Sequence, residues 1–235
     1  MVPGIGTSDR RAAPVAVPSV GGMTSPVLLA DPRVHAIPLV ESGEPLVELP
    51  ASLAAAGVLV RAGLAERLRA AAASLPPAVR LHVVEGHRSP ADQQRIINRY
   101  SSEVCAARPG CGPAELDRLV SRFVAPLAVA PHVAGAAVDL TLTDADGAPL
   151  DLGTPIDATP EQSDGRCYFA AVDITPAARA RRDLLAGVLT AAGLVNYPTE
   201  WWHWSFGDRY WALMTGAAHA TYGPVEVPVP AGALR

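Results

Sequence analysis

The chain has 235 residues, 49% hydrophobic and 18% charged, which is enough apolar material for one cored domain and too little for more than two small ones. All 19 basic residues are arginine, the formal net charge is -4, and no basic cluster stands out. That excludes nucleic acid as a main partner, because phosphate binding needs concentrated positive charge. Three cysteines, Cys105, Cys111 and Cys167, do not make a disulfide framework, and they lack the Cys-x-x-Cys spacing of a structural zinc site. Cys105 and Cys111 could pair across the Pro-Gly loop between them, and a reduced pair fits the sequence at least as well.

Residues 1–45 are rich in Pro, Gly and Ser, show no sustained period, and are expected to be a poorly ordered lead-in that drapes on the domain. Pro3, Pro14 and Pro18 interrupt their apolar stretches and there is no basic start, so no signal peptide is read there. No apolar run approaches membrane-spanning length, so no membrane partner and a cytoplasmic location are expected. Residues 46–225 are expected to form the domain, and 226–235 an extended tail. Residues 58–75 carry apolar side chains at helical spacing, stopped by Pro76-Pro77. Val79–Val84 alternates as a strand. Ser89 caps a helix with Pro90 in its first turn, running to about Arg108, and Pro113–Val124 predicts another. Ala136–Leu142 reads as a strand followed by an Asp146-Gly147 turn, and 148–170 as a long ordered loop. Thr175 and Pro176 open a helix to about Ala192, stopped by Gly193. Leu194–Tyr197 and Trp201–Phe206 are short strands. Strands interspersed with helices without regular β-α-β units predict an α+β fold.

Two stretches carry the chemistry. In A-P-H-V-A-G-A-A-V-D-L-T-L, His132 precedes small residues that leave room around an ion, and Asp139 sits inside an apolar strand. A carboxylate buried there is costly unless paired or bound to metal. In N-Y-P-T-E-W-W-H-W, Glu200 and His203 lie among tryptophans. Two imidazoles and one carboxylate make a three-ligand zinc set with an open fourth position, and Glu200 is left over to act on water. Residues three apart on an ideal strand face opposite ways, so the chain must turn or bulge between Glu200 and His203. Arg88, where a strand turns into a helix, could stabilise an oxyanion. Asp157, in the long loop, could hold a substrate ammonium; Asp151 reads as a turn cap. Each has a plainer alternative: a strand-edge Asp, an exposed Glu, a His packed in an aromatic core, a surface Arg. Glu85 and His87 are kept as neighbours of the site, and His35, His82 and His219 as structural or surface residues.

Together these motifs resemble the D-alanyl-D-alanine dipeptidase family, the zinc peptidases of the vancomycin-resistance type. His132, Gly135, Ala137 and Asp139 match the family's S-x-H-x-x-G-x-A-x-D, with Ala130 in place of its serine. Glu200, Trp202 and His203 match its E-x-W-H in full. Arg88 in G-H-R-S-P corresponds to the arginine of its G-x-R-P segment, with the proline displaced by one, and Asp157 in L-G-T-P-I-D to its loop acid. No counterpart of its N-terminal R-Y-x-x-x-D-N-F stretch precedes residue 60. The resemblance spans about residues 79–210. It implies a small, mostly antiparallel sheet packed against helices, the architecture of D,D-peptidases and hedgehog-like domains. One Zn2+ per chain would be held by His132, Asp139 and His203. Glu200 would be the general base on metal-activated water, Arg88 an oxyanion stabiliser, and Asp157 the ammonium site for a small D,D-dipeptide. Such an enzyme turns over a peptidoglycan precursor and fits roles in antibiotic resistance, self-protection or recycling. A D,D-carboxypeptidase on peptidoglycan stem peptides and a non-catalytic zinc-binding module are the competing functions.

Overall fold

The structure is a computed structural model that describes residues 26–227. Residues 1–25 of the expected lead-in and 228–235 of the expected tail lie outside it. From Pro26 onward the chain differs from a loose lead-in. Asp31 accepts from the Arg33 N–H and caps a short helix, α1 (Pro32–Ala36). Leu29 and Val34 are buried in a cluster with Val129, Tyr197 and Tyr210.

Residues 58–61 open no helix. They belong to an antiparallel pair, β1 (Leu46–Glu48) with β2 (Leu59–Arg61), in which Val47 faces Val60. Helix α2 (Ala62–Ala73) starts only after them. Arg61 is the cause: it is buried, and its guanidinium donates to the carbonyls of Glu44, Ala134 and Gly223. Those partners are remote in sequence, and they outweigh a local helical period.

Strand β3 (Val79–Glu85) leads to α3 (Pro90–Ala107), where the Ser89 hydroxyl accepts from the Asp92 N–H at the cap. Helix α4 (Pro113–Val120) ends four residues earlier than its pattern suggests, in a turn that buries Val124. Strand β4 (Ala137–Asp144) is followed by residues 145–175, which hold turns without a helix. Thr175 then caps α5 (Pro176–Ala191), and β5 (Val195–Asn196), β6 (His203–Ser205) and α6 (Arg209–Thr215) complete the fold. The four strands β3-β4-β6-β5 form one antiparallel sheet, so the molecule is α+β, with a small antiparallel sheet covered by helices.

Val138, Leu140 and Leu142 of β4 enter the main core with Leu64 and Leu68 of α2, Leu185 and Leu189 of α5, and the three tryptophans Trp201, Trp202 and Trp204. Such a dense apolar floor resists local rearrangement. Cys105, Cys111 and Cys167 are free thiols. Among the described residues no helix is long and apolar enough to cross a membrane.

Candidate active site

Sheet register assembles the site. Across β4, Glu85 pairs with Asp139, and Asp139 pairs with His203, so three strands place polar residues in one row. Alternation along β4 then separates chemistry from core: Asp139 lies on the face opposite the core residues Val138 and Leu140. A bulge between Val83 and Glu85 ends the regular pairing where the chain turns toward Arg88. Gly86 follows, so close to β2 that a Cβ there would collide with the Leu59 carbonyl. That approach lets the Gly86 carbonyl accept from His132 Nδ1 at 2.8 Å. The proton is thereby fixed on Nδ1, and the Nε2 lone pair faces the site.

His132 Nε2 lies 3.4 Å from Asp139 Oδ1, His203 Nδ1 lies 3.1 Å from the same oxygen, and the two nitrogens are 3.1 Å apart. These separations are close to the ~3.3 Å edge of a tetrahedron whose metal–ligand bonds are about 2.0–2.1 Å. His132, Asp139 and His203 are 4–5% exposed, so little water competes for their lone pairs. Two nitrogens and an anionic oxygen, converging at the floor of a cleft with little solvent exposure, are a donor set that fits zinc.

Glu200 stands beside this triangle without belonging to it: Oε2 is 3.8 Å from His203 Nδ1. The chain does turn between them. The Glu200 N–H donates to Tyr197 and the His203 N–H to Glu200, and Asn196 Nδ2 donates to the carbonyls of Glu200 and His203 at 2.9 Å each. Trp201, Trp202 and Trp204 are core residues, and Trp202 also lines the cleft.

Arg88 is not a loose surface arginine. Its Nε and Nη2 grip both oxygens of Glu85, and Nη1 donates to Gln93 Oε1 at 2.8 Å. Gln93 is itself anchored to the Ala125 carbonyl. Of the five N–H groups a guanidinium carries, three are used and two remain for a ligand. Asp157 lines the same cleft from the loop between β4 and α5, with left-handed backbone (φ 63). All six residues singled out from sequence line one cleft of about 410 Å³, together with Glu85, Gln93, Ala130 and Tyr197.

The electrostatics follow from burial and from neighbours. Burial, then Asp139 and Asp157, pushes Glu200 well above the carboxylate range. Burial, then Asp139 and Glu85, raises Asp157. Burial works against ionising Asp139, but His132 and His203 outweigh it and hold that carboxyl far below its usual value. Burial also opposes charge on both imidazoles. Asp139 overcomes it at His132, which is raised, and fails to at His203, which is lowered.

Three site residues escaped sequence reading in these roles. Glu85 appeared only as a neighbour, although its spacing of three from Arg88 permits the pair. Gln93 shares a buried helical face with Tyr100 and Val104, and a polar residue on an apolar stripe was its available signal. Asn196 carries no local signal, since its partners are set by the turn.

Residues 51–220 match the family model described as D-Ala-D-Ala dipeptidase, and the chain belongs to that peptidase family. The resemblance read from the motifs is thus borne out. One relative, a D-alanyl-D-alanine dipeptidase of Synechocystis sp., is 29% identical over 81% of this chain and 96% of its own length. Another, of Escherichia coli K12, is 42% identical over 31% of this chain and 35% of its own. Among solved structures, a vancomycin-resistance D,D-pentapeptidase VanY in complex with Zn(II) aligns at TM-score 0.41 and 18% identity, over 69% of this chain and 78% of that one. VanYB in complex with D-alanine-D-alanine aligns at 0.43 and 18%, over 74% and 84%.

Proposed function

We propose that the protein hydrolyses D-alanyl-D-alanine to two D-alanines, using one zinc ion held by His132, Asp139 and His203. The observation that carries this reading is Glu200, a buried carboxylate beside the donor triangle and outside it. A purely structural site has no use for such a group, whereas a hydrolase needs a base next to the reacting water. When bound, zinc supplies Lewis-acid polarisation of the scissile carbonyl and of water.

The chain's own residues do the rest. Glu200 takes a proton from the attacking water and returns it to the leaving amine. Its raised pKa suits it to hold that proton between the two transfers. Arg88, clamped by Glu85 and Gln93, offers its two remaining N–H groups to the carbonyl oxygen as negative charge develops there. Asp157 binds the free ammonium of the substrate and so favours dipeptides over longer or blocked chains. Ala130 supplies no hydroxyl to the wall where the family's serine stands, and that wall contributes shape alone. The proposal includes a cytoplasmic setting, where a free dipeptide rather than a wall-bound stem is the substrate.

The test is zinc content together with turnover of D-Ala-D-Ala, its N-acetylated form and a pentapeptide stem. Preferred cleavage of the free dipeptide is expected. Preferred cleavage of the stem would point to a D,D-carboxypeptidase, and no turnover of any by zinc-loaded protein would leave only a zinc-binding module.

A further inference from the structure

Arg182, in α5, is completely buried, and carbonyl oxygens rather than a carboxylate compensate its charge. Nε donates to Leu152 at 2.7 Å, Nη1 to Tyr168 at 2.7 Å and to Phe169 at 3.3 Å, and Nη2 to Arg166 at 2.9 Å. Burial lowers its pKa to about 10, which still leaves it charged at neutral pH. Leu152 precedes Asp157 and Arg166 to Phe169 follow it, so one side chain ties both ends of the loop that carries Asp157. Leu152 and Cys167 are buried at this neck.

The loop also leans on the turn that carries Glu200. Trp201 Nε1 donates to Thr154 Oγ1 at 2.8 Å, its backbone N–H donates to Cys167, and the Arg182 guanidinium lies 5.6 Å from the Trp201 ring centre. Beyond the neck, Gln162 and Ser163 each bond to Thr159 and stiffen the tip. Asp157 keeps a left-handed backbone there, a conformation that persists in a non-glycine residue when its surroundings hold it. Asn196 holds the Glu200 turn separately.

We propose that Arg182 is the positioning residue of the ammonium subsite. By closing the neck of residues 152–169 it fixes Asp157 in the cleft and so sets selection for a free amino terminus. The inference rests on the role given to Asp157 above. Only a planar guanidinium reaches carbonyls on both sides of the neck at once; an ammonium is a point donor and reaches one side. An apolar replacement would leave buried carbonyls unpaired.

Three variants of the full-length, zinc-loaded protein test it: Arg182→Lys, Gly153→Ala and Asp157→Asn. Gly153 has φ 98, and a Cβ there would lie 2.8 Å from Ile174 and 3.2 Å from Arg182 Nη2, so Gly153→Ala strains the neck while keeping the guanidinium. Arg182→Lys is expected to raise KM for D-Ala-D-Ala about 10-fold to 100-fold while kcat changes far less. The preference for the free over the N-acetylated dipeptide should fall toward that of Asp157→Asn. Amide hydrogen exchange should quicken in residues 152–169 and stay unchanged in α2 and β4. Gly153→Ala should move all three readouts the same way by less, and it decides the matter if Arg182→Lys does not fold. Full preference for the free dipeptide in both neck variants, with that preference lost in Asp157→Asn, would overturn the role of Arg182. So would exchange that quickens equally throughout the core. A preference that survives Asp157→Asn would instead remove the subsite reading, and this inference with it.

Discussion

The residues that line the cleft are held in two different ways. Asp139 and His203 stand on the paired strands β4 and β6, and His132 in the turn before β4, tied by hydrogen bonds to Gly86 and Arg88, with a tryptophan-rich core beneath. Asp157 stands on a loop without regular structure, held by one buried guanidinium, a few side-chain bonds and the backbone bonds of its turns. A metal-donor set tolerates little displacement, and the register between β4 and β6 fixes two of its three members. If Asp157 selects one end of a small substrate, a pinned loop lets it be placed independently of the sheet. Arg88 lies between these regimes: it leaves the sheet at a bulge, but Glu85 and Gln93 hold it on two sides.

If the sheet side carries the metal, His203→Ala should do the most damage. The variant is expected to lose its zinc and all measurable turnover. A chelator should lower the thermal unfolding temperature of wild type and leave that of the variant unchanged, because a ligand at 1,000 times its Kd stabilises by about 4 kcal/mol. Equal chelator sensitivity would show that the ion sits elsewhere. Next in size, Arg88→Ala should lower kcat roughly 10²-fold to 10³-fold with zinc retained, the usual cost of losing an oxyanion donor. A change confined to KM would make Arg88 a ground-state binder instead.

On the loop side, Asp157→Asn should mainly raise KM for the free dipeptide, about 10-fold to 100-fold, and spare the N-acetylated one. It should also move the pH profile. Burial first, then Asp139 and Asp157, raises the pKa of Glu200. A base must be deprotonated to act, so activity is lost as pH falls through that pKa. Removing the Asp157 charge lowers it, and the acid limb of kcat/KM should shift to lower pH. A limb that stays in place, or moves up, would separate Asp157 from Glu200.

The same contrast explains what could be read from the sequence. The grouping of His132, Asp139 and His203 was legible because strand pattern and motif spacing are local, and the need for a turn between Glu200 and His203 followed from strand geometry alone. The caps at Ser89 and Thr175 were legible for the same reason. What escaped depends on distant partners. Arg61 turns an apparent helix start into a strand by reaching carbonyls 17, 73 and 162 residues away. Gln93 and Asn196 acquire their roles from Arg88 and from the Glu200 turn, and no periodicity in the chain encodes those meetings. Arg182 is hidden in the same way: within α5 it is one arginine among several, and only the folded loop shows what it holds.

The most direct measurement compares wild type with Glu200→Gln for bound zinc and for D-Ala-D-Ala turnover on the same preparations. The account predicts one zinc per chain in both and a loss of kcat of about 10³-fold or more in the variant, at the upper end of what a general base contributes. Zinc lost along with activity would make Glu200 a ligand, and turnover retained with zinc bound would contradict its place as the base.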